Sequence, residues 1–196
     1  AGHEVKRGRL KLIFQPAEEL GAGALAMIAG GAIDDVDMIL GFHVRPAQEC
    51  AVGTAIPAVH YSACVTLEAI IYGQAAHGAR PHLGINALDA AVSAVQAVNA
   101  VHLAPDSGWS VKATRFICDA GVTNSIPDEA RVVFDLRAAK NEDMVELQAR
   151  VHRAVEHSVA AYGAKANGTG VKSMPAAVID DEMTALIAQA IVDVQG

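Results

Sequence analysis

The chain has 196 residues, 52% hydrophobic and 19% charged, which excludes a disordered segment and gives enough length for one well-cored domain or two small units. Its 15 basic residues face 22 acidic ones, for a formal charge of -7. No basic run interrupts that balance, which argues against nucleic-acid binding, and the apolar runs break well short of membrane-spanning length.

In chain order, residues 9–15 form an apolar strand candidate around Leu10, Leu12, Ile13 and Phe14, ending at Pro16. Residues 20–33 are Ala-rich and close on Gly30 and Gly31, as a helix does. Residues 36–44 are a second apolar run suited to a buried parallel strand. Strand, helix, strand is the βαβ unit of an α/β layer.

After Pro57 the pattern changes. Residues 61–72 read as a long strand, 84–103 as a helix and 109–118 as an alternating strand. Residues 130–136 supply another strand after the turn at Pro127-Asp128. Asn141 is placed to cap a helix to about Tyr162, with Glu142 and Asp143 at its positive end. Residues 164–174 are a last strand candidate, and 180–194 a closing helix. From 61 to 174 the order is β-α-β-β-α-β, the signature of a ferredoxin-like sandwich. The expected fold is an α/β layer (residues 1–57 and 175–196) carrying an inserted α+β ferredoxin-like module over 58–174.

Cys50, Cys64 and Cys118 are widely spaced in apolar contexts, as reduced thiols of a cytoplasmic protein are, with no disulfide framework and no CxxC pair. Nothing at the N-terminus reads as a signal peptide. Neither Ala1 nor Gly196 reads as a domain terminus, so a piece of a longer chain is expected.

Three clusters carry potential chemistry. Gln15-Pro16-Ala17-Glu18-Glu19 lies where a strand feeds a helix, the edge at which open α/β sheets place ligands. Two adjacent carboxylates there call for a positive partner: a metal ion, or only the helix dipole. His43 follows Glu19 by 24 residues and ends the second strand, so Glu and His converge at one sheet edge as zinc-type ligands do. That convergence favours ligands over a helix-start acidic pair and a core histidine.

The second cluster, residues 73–82 around His77, follows a strand and precedes a helix. Its imidazole could donate to a developing oxyanion, or sit in an exposed His-rich turn. The third runs from Gly121 to Pro127 around Asn124 and is followed by Arg137. Both are ordinarily a turn former and a solvated charge, and both could grip a substrate carboxylate, Arg137 by its bidentate fork.

FQPAEE, GFHV, GQAAHGARPH, TNSIPD and DLR, in that order, resemble the aminoacylase and carboxypeptidase superfamily of two-metal hydrolases. The likeness is greatest to the amidohydrolase branch of hippurate, N-acyl-amino-acid and p-aminobenzoyl-glutamate hydrolases. The resemblance runs over nearly the whole chain. It implies two divalent metal ions (zinc, manganese or cobalt) in the complete protein, with Glu19 and His43 among their ligands and Glu18 as general base on the metal-bound water. It implies that the inserted module is a lid and dimerisation domain, that the chain forms a homodimer through it, and that His77 reaches a partner's site to steady the tetrahedral oxyanion. Asn124 and Arg137 would contact a small N-acyl-amino-acid substrate.

A lid hinged near Pro57 and Met174 is expected. The family's upstream Cys-Gly-His-Asp segment and late histidine are missing, and Ser125 stands where relatives usually carry Val. The chain alone is therefore expected to be catalytically silent. A non-catalytic dimerisation or substrate-binding module of the same fold is the alternative; a simple small-molecule binder has little support.

Overall fold

The computed structural model describes residues 7–18 and 21–195, so Glu19 and Leu20 lie outside the described residues. The chain divides into two compact units, residues 1–55 and 56–196.

The first unit holds a single helix among its described residues, α1 (Gly23–Ala29), shorter than the 20–33 expected. The strands expected over 9–15 and 36–44 do not form. A strand exists only by pairing, because its N–H and C=O groups need a neighbouring ladder. Among the described residues no backbone hydrogen bond joins these two segments. Arg9 and Lys11 both donate to Asp35, just before the second segment, at 3.1 and 2.6 Å. Those contacts hold the Asp35 carboxyl below the usual carboxylate range, Lys11 contributing most. The apolar side chains that suggested buried strands stand in solvent, with Phe14 84%, Phe42 93% and Val44 91% exposed.

The second unit is built on a four-stranded sheet of β1 (Ala63–Tyr72), β3 (Trp109–Ile117), β5 (Glu129–Ala138) and β6 (Lys165–Met174). The order is β3-β5-β1-β6, every neighbouring pair antiparallel. Alternation in β1 and β5 decides the faces. Val65, Leu67, Ala69 and Ile71 are buried with Ala130, Val132, Phe134, Leu136 and Ala138, while Glu68, Arg131, Asp135 and Arg137 fall on the other parity and keep solvent access.

Helices α2 (Ala87–Asn99) and α3 (Asn141–Ala160) complete the core. The inner stripe of α2 is Ala87, Ala90, Ala91, Ala94 and Val98; these small side chains suit close approach of helix to sheet. On α3 the stripe is Met144, Leu147, Val151, Val155 and Val159, at helical spacing. Asn86 caps α2 by accepting from the Leu88 N–H at 3.0 Å, so that helix begins three residues later than the 84–103 expected, after a 3₁₀ turn at Pro81–Leu83.

Asn141 is not the cap of α3; Lys140 occupies that position without a side-chain bond. The Asn141 amide instead clamps the chain beyond β6. Its oxygen accepts from the Ala176 N–H at 2.7 Å, and its nitrogen donates to the Ala176 carbonyl at 3.4 Å. Helix α4 (Asp181–Gln195) closes the described chain, its start capped by Asp180 accepting from the Met183 N–H at 2.8 Å.

Candidate functional site

Glu18 belongs to a tight elbow in the first unit. Ala17 before it has φ 52°, the one positive φ outside glycine among the described residues, and the Gly21 N–H closes the turn onto the Glu18 carbonyl at 2.8 Å. Gly23 is buried at the start of α1, where a Cβ would stand 1.6 Å from the Pro16 carbonyl oxygen. The elbow thus leaves Glu18 exposed on a constrained backbone.

Glu19 lies outside the described residues. His43 is exposed, with Nδ1 2.6 Å from the Val44 carbonyl oxygen. Among the described residues no three His, Cys, Asp or Glu side chains gather as a metal centre requires. The described residues therefore do not assemble such a centre by themselves.

His77 and Asn124 are brought together. The ribbon of β2 (Ala76–His77) and β4 (Ser125–Ile126) pairs His77 directly with Ser125. The next step of the ribbon is the Gly78 N–H donating to the Asn124 carbonyl at 2.7 Å. The Ser125 hydroxyl reaches the Ala76 carbonyl at 3.5 Å.

The imidazole is oriented from within its own turn. The Ala79 N–H donates to His77 Nδ1 at 3.1 Å, and the Arg80 N–H donates to the His77 carbonyl at 2.7 Å. A nitrogen that accepts from an amide carries no proton, so the neutral ring bears its hydrogen on Nε2.

Two glycines of this segment mark close backbone approaches. Gly73 and Gly84 stand at the two ends of the loop, where backbone meets backbone. Sequence reading missed that role; a glycine at each end of a twelve-residue segment was the available signal.

Arg137 is not brought to His77 and Asn124. It pairs with Cys64 at the start of β1, whereas Tyr72 at the other end of β1 pairs with Glu129 and leads into the His77 loop. The eight residue steps along β5 from Glu129 to Arg137 span roughly 27 Å at strand rise. Arg137 Nε donates to Asp135 at 2.9 Å, which raises the guanidinium above its ordinary pKa. The three cysteines are free thiols, and burial pushes the Cys118 thiol up, with Asp119 adding to the shift. Among the described residues no helix is long and apolar enough to cross a membrane.

Residues 62–163, from just before β1 to just beyond α3, match the M20 peptidase dimerisation domain family. The chain belongs to that family. The resemblance to the aminoacylase and carboxypeptidase superfamily carried by FQPAEE and GQAAHGARPH is thereby borne out.

This family member is 36% identical to an indole-3-acetyl-aspartic acid hydrolase of Enterobacter agglomerans, over 80% of its own length and 36% of that protein's. It is 34% identical to one chain of the p-aminobenzoyl-glutamate hydrolase of Escherichia coli, again over 80% of its own length and 36% of the relative's. Among solved structures, a putative aminohydrolase from methicillin-resistant Staphylococcus aureus superposes with a TM-score of 0.80 at 26% identity. That match covers 91% of this chain and 48% of the other. The chain spans half or less of the length of the relatives it matches.

Proposed function

We propose that the complete protein is a metal-dependent amidohydrolase that cleaves the amide bond of N-acyl-amino acids or related amides. The observation that carries this reading is the His77 turn: a ring held by the Ala79 N–H on Nδ1 and locked beside Asn124 by the β2–β4 ribbon. The names of the relatives support amide hydrolysis as the reaction class.

In this reading, Glu19 and His43 would hold part of a centre of two divalent ions (zinc, manganese or cobalt), which would supply an activated water when bound; Glu18 would act as the general base on that water and return the proton to the leaving nitrogen. The constrained elbow at Ala17 supports a fixed position for the Glu18 carboxylate. The His77 Nε2–H steadies the tetrahedral oxyanion. Asn124, its backbone joined to Gly78 beside His77, would offer its amide to the substrate, and Arg137 would offer a fork to the substrate carboxylate.

Arg137 pairs at the Cys64 end of β1, while the His77 loop leaves from the Tyr72 end, which argues against a single copy of the second unit bringing both to one small substrate. Two copies bring both together if His77 and Asn124 of one serve the site that holds Arg137 of the other. That supports a homodimer formed through the dimerisation domain. The strand order β3-β5-β1-β6 with both helices on one face supports reading residues 58–174 as a ferredoxin-like lid. The exposed apolar side chains at 9–15 and 36–44 support assigning residues 1–57 to an α/β catalytic domain that residues 175–196 rejoin. Free thiols support a reducing, cytoplasmic location.

The test is hydrolysis by the complete protein of a panel of N-acyl-amino acids and p-aminobenzoyl-glutamate, loaded in turn with each metal. Turnover that disappears on chelation and returns with metal is expected. No turnover of any substrate by a folded, metal-loaded dimer would overturn the reading in favour of a non-catalytic module.

A further inference from the structure

We propose that Gly73 and Gly84 are positioning residues for His77: they let the two arms of its loop cross backbone to backbone, and that crossing fixes where the imidazole stands. The inference rests on His77 acting in the proposed hydrolysis.

The arms are joined in both directions, by the Gln74 N–H to the Ile85 carbonyl at 2.8 Å and the Ile85 N–H to the Gln74 carbonyl at 2.9 Å. The Gln74 side chain adds a bond to the Leu83 carbonyl at 3.3 Å. At this crossing there is no room for a side chain. A Cβ on Gly73 would stand 2.1 Å from the Ile85 carbonyl oxygen. One on Gly84 would stand 2.7 Å from the Ala76 Cβ and 2.8 Å from the Gln74 carbonyl oxygen.

The requirement is for space and not for unusual dihedrals. Gly84 has φ -128° and ψ 175°, an extended conformation open to any residue, and Gly73 is not among the positive-φ glycines. Close packing of this kind transmits displacement instead of absorbing it.

The crossing is also anchored to the other half of the site. The Gly73 N–H donates to the Asp128 carbonyl at 2.7 Å, and the Ala87 N–H to the Pro127 carbonyl at 3.0 Å. Pro127 and Asp128 directly follow β4, which holds His77 in register with Ser125. One backbone network therefore joins the base of the loop, the start of α2 and the segment that carries Asn124. A methyl group at Gly84 presses on Ala76, the residue before His77. Relieving the contact takes a shift of somewhat under an ångström, the scale at which misplacement costs up to about a hundredfold in rate.

The experiment is a double-mutant cycle in the complete enzyme, using Gly84→Ala, His77→Ala and their combination, with melting temperature and metal content measured alongside. Gly84→Ala is expected to lower kcat by about ten- to a hundredfold with KM and metal content held. Ala76→Gly added to Gly84→Ala removes the Cβ–Cβ collision and is expected to restore part of kcat. In the His77→Ala background, Gly84→Ala is expected to cost nothing further.

Losses that multiply would show a merely structural effect and overturn the proposal, as would an unchanged kcat in folded Gly84→Ala. If Gly84→Ala fails to fold, the Ala76→Gly/Gly84→Ala pair replaces it in the cycle, and the same two results support or overturn the proposal. An unchanged kcat in His77→Ala would instead remove the reading of His77 on which the proposal stands.

Discussion

Replacing Phe134 by Ala tests the core that holds the site loops in place. Phe134 is fully buried in β5, opposite Leu67 of β1 and Ala113 of β3, on the face covered by Leu147 and Val151 of α3. Deleting a ring there removes its transfer free energy and leaves a cavity that the flanking strands cannot collapse, a loss of about 3–5 kcal/mol. Against a typical domain stability of about 5–15 kcal/mol, that is about a fifth of the total or more.

For a unit of this size, about 3 °C per kcal/mol converts the loss to a fall of roughly 9–15 °C in melting temperature. The control is Val133→Ala, one residue earlier on the opposite face, where the side chain is half-exposed and a loss of about 1 kcal/mol is expected. Thermal and urea unfolding by circular dichroism measure both. Equal losses for the two variants would refute the assignment of the helices to the Phe134 face.

Further outcomes follow from the same geometry. Asn141→Ala leaves both backbone groups of Ala176 without their partner and should cost about 1–3 kcal/mol, read by urea unfolding; Asn141→Asp, which keeps the acceptor for the Ala176 N–H, should cost less. Cys118, its thiol pushed up by burial, should react with iodoacetamide at neutral pH more slowly than a model thiol. Because its folded pKa exceeds the unfolded one, the stability it contributes is present below the ordinary thiol range and declines as pH rises through it; a rise with pH after Cys118→Ala correction would contradict this. Mixing inactive Glu18→Gln and His77→Ala proteins should restore about a quarter of the active sites if the site is shared across a two-fold dimer. No recovery after subunit exchange would argue that His77 serves its own copy.

The second unit was legible because its signals are local. Alternation in 63–72 and 129–138 and the 3.6-residue stripe of α3 each mark an element whose buried face is written in its own residues. The start of α2 was missed by three residues, although Asn86 before an Ala-rich run was a cap signal in plain view. Asn141 misled for the opposite reason: asparagine near a helix start usually caps it, and nothing local told that its amide would reach Ala176, 35 residues on.

The segments at 9–15 and 36–44 carry strand composition without strand structure, since pairing depends on neighbours that composition does not name. At the site, His77, Asn124 and Glu18 were picked out by residue type and motif. The two-residue ribbon that joins His77 to Ser125, and the distance between His77 and Arg137, come from register alone and had no counterpart in the sequence.

The most direct test compares Glu18→Gln with the unaltered complete protein on the best-hydrolysed amide, with bound metal quantified in both. Turnover is predicted to be abolished while metal content stays close to that of the unaltered protein. Retained turnover in Glu18→Gln would contradict the assignment of this carboxylate as the general base.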